Sequence, residues 1–324
     1  MKNIITILAI SAAIVACNNS ANNNASATTA EGEQTATTIP TVAGINYKYA
    51  WAHFNLQGKV KKLTEYSYLQ EEDDNGKPTK GEPYGKYPVK TYFFSPQGLV
   101  TQINEYEENE QGPYTQSNFQ YDSQNRLVLV KITNSKDQNT ITERYQYNPK
   151  GYLDSYIYHN DNKDEGGEEM TYKTIYQTTA TPEGIKVEEK GENDTQYPIN
   201  YYNKQNLLVK RVLYDAQEQK NIGEALYTYD TNNRCQKETY NGLGSMFVRA
   251  YCAKGTASCY YDKYGNLTKV TLKEMSEGGE DDCEFSEESD YTKEYTYDEQ
   301  GNVIHALVSM GSDPLIRTYK IEYY

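Results

Sequence analysis

The stretch YDKYGNL at residues 261–267 returns as YDEQGNV at residues 297–303. Each holds an aromatic residue, a short polar corner, a Gly-Asn pair and an aliphatic residue. In relaxed form the motif is an aromatic, three residues, Gly or Asn, one residue, then an apolar side chain. It recurs in phase at the corners Gly58, Gly98, Asn125, Gly151, Asn206, Asn233, Gly265 and Gly301. Successive corners lie 40, 27, 26, 55, 27, 32 and 36 residues apart. The gap of 55 is close to two 27-residue units, and TPEG at residues 181–184 marks a worn copy inside it. Self-similarity at such a period identifies stacked supersecondary units.

The unit reads as a β-hairpin. Aromatics alternate before each corner, as at Phe119 and Tyr121, Tyr145 and Tyr147, or Tyr227 and Tyr229, and strand formers follow, as in LVLVKIT at 127–133. Alternation with β-branched and aromatic enrichment favours strands over helices. Gly and Asn tolerate the positive φ that a tight corner needs. The aromatic and the aliphatic residue then cover one another across the turn. Eight or nine hairpins supply about 16–18 strands, more than an open twisted sheet holds without curling. The expected fold is all-β: tandem β-hairpin repeats forming a long, twisted or curled antiparallel sheet, open or partly closed into a trough. The chain has 34 Tyr against six Phe and one Trp. Tyrosine suits such a sheet, because a phenol buries its ring and keeps its hydroxyl wet.

Constant corners push all length variation to the opposite edge, where it is acidic: EEDD at 71–74, residues 105–110, DNKDEGGEE at 161–169 and EGGEDDCEFSEESD at 277–290. Insertions in repeat proteins gather on one face, often the binding face. The plainer reading is solvated loops that keep a sheet edge from pairing with neighbours. The acidic edge also offers oxygen ligands for weak Ca2+ binding, without the glycine and flanking helices of an EF-hand.

The N-terminus is a targeting segment. Lys2 precedes an uncharged, largely apolar run at residues 4–16, which is 13 residues long. That is too short to span a bilayer, which takes about 20 apolar residues. The run ends in IVAC at residues 14–17, which resembles the lipobox of bacterial lipoproteins and implies lipid attachment at Cys17. Acyl chains anchor by roughly 0.8 kcal/mol per buried methylene. Residues 18–44 are Asn, Ala, Thr and Ser with almost no large apolar side chain, and such a tether reaches roughly 30 Å. The organisation is therefore 1–16 signal peptide, 17–44 lipidated Cys and tether, and 45–324 repeat domain. Asn18 after the lipid-bearing Cys favours the outer membrane, facing either the periplasm or the surface.

Four cysteines remain, Cys235, Cys252, Cys259 and Cys283, and export permits disulfides. With Gly255-Thr256 as a two-residue hairpin loop, Cys252 and Cys259 would face each other at disulfide range. Free buried thiols are the competing reading.

Y-D-x-x-G-N-L corners at this spacing resemble the YD repeats of RHS-type proteins, above all small repeat-only bacterial lipoproteins. The resemblance covers roughly residues 51–324, with Gly replaced at Asn125, Asn206 and Asn233 and the Asp replaced by Ser95 or Asn55. Large RHS proteins build a closed shell of hairpins around a C-terminal toxin. This chain ends in YKIEYY at 319–324, half of another hairpin, and carries no toxin domain.

The formal charge of −14 makes nucleic acid and anionic lipid surfaces poor partners. His53, His159 and His305 are the only histidines, and none is paired in sequence with a nucleophile. Metalloprotease, P-loop, nucleophile-elbow and dinucleotide fingerprints are absent, as is any C-x-x-C pair. No catalytic residue, cofactor or metal is expected. The chain reads as a lipid-anchored envelope binding or scaffold module with a protein partner. Glycan binding by exposed tyrosines is the alternative, and a carboxylate-based glycoside hydrolase is the remote one.

Overall fold

The structure is a computed structural model and describes residues 49–83, 88–107, 112–136, 138–161, 169–247, 254–274, 288–309 and 315–324. Nineteen strands run in chain order. The first nine are β1 (Val60–Glu72), β2 (Pro78–Pro83), β3 (Lys90–Phe94), β4 (Val100–Glu105), β5 (Thr115–Tyr121), β6 (Leu127–Asn134), β7 (Thr140–Tyr147), β8 (Leu153–Asn160) and β9 (Met170–Thr181). They continue as β10 (Gly184–Gly191), β11 (Gln196–Asn203), β12 (Leu208–Asp215), β13 (Lys220–Tyr229), β14 (Cys235–Asn241), β15 (Lys254–Tyr261), β16 (Leu267–Glu274), β17 (Glu288–Tyr297), β18 (Val303–Ser309) and β19 (Leu315–Tyr323).

Seven of the eight motif corners, all but that at Gly58, are built the same way. At Asp122 the backbone N–H of Asn125 donates to the Asp122 carbonyl at 3.0 Å, and the Asp122 N–H donates to the Arg126 carbonyl at 2.9 Å. Asn125 takes φ 60°, and the ladder shifts register between Gln120 and Tyr121. This is a type I turn closed by a left-handed residue and a bulge. The Asp122 carboxylate caps it, accepting the N–H groups of Gln124 and Arg126 at 2.9 Å. Asn148, Asn203, Asp230, Asp262 and Asp298 cap in the same way, and the Ser95 hydroxyl does so once. The Asp of the motif is thus a cap, and the Gly or Asn supplies the left-handed step.

The motif's tyrosine binds the preceding unit. Tyr121 donates its hydroxyl to the Val100 carbonyl at 2.8 Å, Tyr147 to Leu127 at 2.8 Å, Tyr229 to Leu208 at 2.6 Å and Tyr261 to Cys235 at 2.9 Å. Each acceptor is the apolar residue two places after the previous corner. To make these bonds the ring lies along the wall across one strand gap, over the neighbouring aliphatic residues. Val100, Leu127 and Cys235 are accordingly fully buried.

The sheet closes, contrary to the open or trough-like sheet expected from the repeat. β1 pairs with β19 from Val60 opposite Tyr323 to Leu69 opposite Leu315. β1 also pairs with β3, and every later strand pairs with its successor. Eighteen strands therefore form a ring, with β2 only extending the end of β1 as a short hairpin. The closing hairpin is split between the chain ends. Gly58 has φ 77°, but no strand leads into it; Tyr323 of β19 supplies the aromatic opposite Val60. Residues 49–58 instead form a strap of turns over the corner end. Trp51 N–H donates to the Gly98 carbonyl at 2.9 Å, Asn55 Nδ2 to the Tyr264 carbonyl at 2.7 Å, and Gln57 N–H to Asn302 Oδ1 at 2.6 Å. Phe54 meets the Tyr92 and Phe94 rings at 4.7 and 5.7 Å.

The worn copy at TPEG is a hairpin, with Gly184 opposite Thr181. The cysteine geometry is overturned. Gly255 and Thr256 lie inside β15, paired to β14 and β16, so no turn exists there. Cys259 is a free, buried thiol, as is Cys235, and Cys252 lies outside the described residues. Cys17 and Cys283 lie outside them as well.

Candidate functional site

Alternation gives the barrel two unlike walls. One outer row crosses six strands as Gln102, Asn118, Lys131, Thr142, His159 and Thr171. A second runs Lys186, Tyr201, Lys210, Leu226, Thr239, Thr256 and Lys273. The outer apolar cluster of Tyr197, Ile199 and Val212 is covered by charge, with Lys190 Nζ 4.6 Å from the Tyr197 ring and held by Glu188 at 2.6 Å. A membrane barrel needs an outward apolar band about 25 Å tall, and each Lys or Arg at mid-membrane costs about 2–4 kcal/mol. In the two rows above, Lys131, Lys186, Lys210 and Lys273 interrupt any such band. No described helix is long and apolar enough to cross a membrane either, which by itself says nothing of a β-barrel.

The other wall is lumenal. At the corner end it carries the aliphatic and tyrosine cores around Leu127, Val130 and Leu153 and around Ala257, Val270 and Leu272. Barrels of 16–18 strands are wide enough to leave an interior channel. The lumenal face reaches solvent at the opposite, long-loop end, where Leu69, Met170 and Tyr172 are 47%, 37% and 57% exposed. Tyr158 stands beside Tyr172, with ring centroids 6.2 Å apart.

Between core and mouth lie three successive lumenal rows around β17, β18, β19 and β1. The deepest holds Tyr319, Glu65, Lys90 and Glu105. The next holds Tyr295, Ala306, Arg317 and Ser67. The outermost holds Lys293, Val308, Leu315 and the exposed Leu69. Lys90 pairs with Glu105, and Arg317 Nη1 donates to Glu65 Oε1 at 3.0 Å. Lys293 has no ion pair or hydrogen bond among the described residues, and Arg317 Nε has no partner. Burial, and then the nearby Arg317 charge, push the Lys293 ammonium below its ordinary pKa. Burial, and then Glu65, push the Tyr319 phenol up to about 12.

Three further lumenal carboxylates among the described residues are occupied. Glu143 accepts hydrogen bonds from Tyr145 at 2.7 Å and Tyr156 at 3.2 Å. Glu189 accepts from Asn200, and burial raises its pKa. Glu238 is fully buried, sealed by the Ser245 hydroxyl at 2.6 Å and the Met246 N–H at 3.0 Å, and burial raises it too. The structure brings no two of the histidines together. His53 lies against Phe54, while His159 and His305 occupy outer rows, His159 Nδ1 being 3.0 Å from Thr171 Oγ1. Among the described residues no three His, Cys, Asp or Glu side chains are grouped to hold a metal. Of the acidic edge, Asp73 is placed as a turn cap, accepting from Asn75 and Lys77 at 2.9 Å. Most of the other acidic stretches lie outside the described residues.

No family model matches the chain, and no curated protein matches it. Among solved structures it is similar to a porin-like protein from Bacteroides uniformis ATCC 8492, with 14% identity, 82% of this chain and 99% of that chain covered, and a TM-score of 0.37. A porin-like protein from Bacteroides vulgatus ATCC 8482 gives 11% identity, 82% and 98% coverage and a TM-score of 0.32. The TcdB2-TccC3-Cdc42 structure gives 12% identity over 76% of this chain and 18% of that one, with a TM-score of 0.25. Likeness at these scores carries no argument, and the architecture rests on the strand registers.

Proposed function

We propose that the chain is a lipid-anchored binding protein of a bacterial envelope, built from YD-type repeats, which stands in water on its tether and takes a ligand at the open mouth of its barrel. The carrying observation is the contrast between the walls: a polar outer wall and a lumen that ends in exposed Tyr172, Met170 and Leu69. Isolated exposed aromatics are ordinary, but Met170 and Tyr172 lie together on the lumenal face of β9, and Leu69 on β1 stands across the same mouth from them. The Tyr158 and Tyr172 rings favour a sugar ligand over the protein partner expected from sequence, since aromatic faces stack on sugar rings. The test is photo-crosslinking in intact cells with a photoreactive residue at Tyr172, against the outer-wall position Leu226. A ligand captured at Tyr172 and not at Leu226 supports the reading; capture at Leu226 alone returns the protein to a scaffold that works through its outer wall.

A further inference from the structure

We propose that Lys293 and Arg317 form an anion-binding site in the barrel lumen that holds the carboxylate of an acidic saccharide. This deepens the lumenal reading above and rests on it. The geometry has three parts. Lys293 and Arg317 lie on adjacent lumenal rows of β17 and β19, separated only by Ala306 and Val308 of β18. Ala306 carries a single methyl group and is buried, so two long cations extend over a small floor. The Lys293 row ends at Leu69, which is 47% exposed, so Lys293 lies in the row that reaches the mouth.

The charges do not balance there. Glu65 neutralises Arg317 through Nη1, and Glu105 neutralises Lys90. Among the described residues Lys293 is left over, without a carboxylate, and beside it Arg317 Nε lacks an acceptor. An unpaired cation next to a second cation is an unfavourable arrangement in a low-dielectric site. A bound anion removes the conflict, because charge-assisted hydrogen bonds from ammonium and guanidinium are about twice as strong as neutral ones. Its presence would also restore the Lys293 pKa that Arg317 and burial depress. Tyr295 shares the Arg317 row and Tyr319 lies in the next row inward, and both give a sugar ring aromatic surface. The net charge of −14 selects against large polyanions, so the fitting ligand presents one carboxylate on a largely neutral body.

The experiment titrates the purified full chain with glucuronate and, separately, with glucose at fixed pH and ionic strength, following binding heat and Tm. Lys293→Met and the outer-wall control Lys131→Met are run beside it. Glucuronate is expected to raise Tm in the wild type and in Lys131→Met, as a ligand that binds only the folded state does, and glucose is not. In Lys293→Met the affinity should fall about tenfold or more, with the unliganded Tm equal or higher. Equal glucuronate affinity in wild type and Lys293→Met overturns the site, as does no glucuronate response in the wild type. If Lys293→Met does not fold, the wild type decides by competition: sulfate must displace glucuronate, and failure to do so overturns the site. A ligand captured at Tyr172 together with a silent glucuronate titration overturns the anion site and leaves the lumenal reading intact.

Discussion

Gly98 and Gly265 occupy the same corner position, with φ 84° and 91°, yet a side chain would meet different surroundings. A Cβ on Gly98 would lie 2.5 Å from the Trp51 ring, whereas on Gly265 the nearest atom is Asn55 Nδ2 at 3.8 Å. Gly265→Ala should therefore cost only the left-handed strain, about 1–2 kcal/mol. Gly98→Ala should cost clearly more, because the strap must move as well, and Asn125→Gly should be near neutral. Urea unfolding of the three variants measures this ranking. Tyr121→Phe removes the bond to the Val100 carbonyl and should cost about 1 kcal/mol, against almost nothing at an exposed tyrosine such as Tyr260. The corner residues were legible because turn chemistry is local. The role of the tyrosine hydroxyl was not, since its acceptor lies a whole unit away in sequence and one strand away in space.

At the scale of elements the hairpins could be counted from the motif, but closure could not. Val60 and Tyr323 meet because both are the unpaired halves of a unit, and no local pattern records that they face each other. The corner at Gly58 looked like a hairpin for the same reason: its φ is that of a corner, while its incoming strand is β19. The lumenal charges carried a usable signal. Lys293 shares the alternation of Tyr291, Tyr295 and Tyr297, and Arg317 that of Tyr319 and Tyr323, so parity alone places both cations on the aromatic face. The hairpin loop that would have set Cys252 opposite Cys259 does not exist, because β15 runs straight through Gly255 and Thr256. Removing residues 315–324 should leave β1 and β18 as long open edges, and such edges pair with other chains. Size-exclusion chromatography should show loss of the native species and growth of large assemblies; an unchanged, stable native species would contradict closure through β19.

For the whole molecule, tyrosine ionisation sets the alkaline limit. Burial raises Tyr319 and Tyr323 to about 12 and pushes Tyr92, Tyr145 and Tyr295 up as well. An unfolded tyrosine ionises near pH 10. The folded barrel then holds more protons than the unfolded chain, so stability is present below about pH 10 and falls as pH rises toward 12. Lys293 works in the opposite direction. Its lowered pKa makes its charge costly at neutral pH, and that cost is relieved as pH rises toward about 10. One lysine against several tyrosines leaves the net trend downward above pH 10. Tyrosinate absorbance followed together with circular dichroism should show a group of tyrosines, these five among them, ionising only as the barrel unfolds.

The central claim is a water-facing barrel held to the membrane by its lipid alone. The direct measurement exports the chain from residue 18 onward, without Cys17, and asks where the barrel goes. A folded β-protein recovered from the soluble fraction without detergent is the predicted result. A chain that stays in the membrane fraction, or that folds only in detergent or lipid vesicles, would contradict the account.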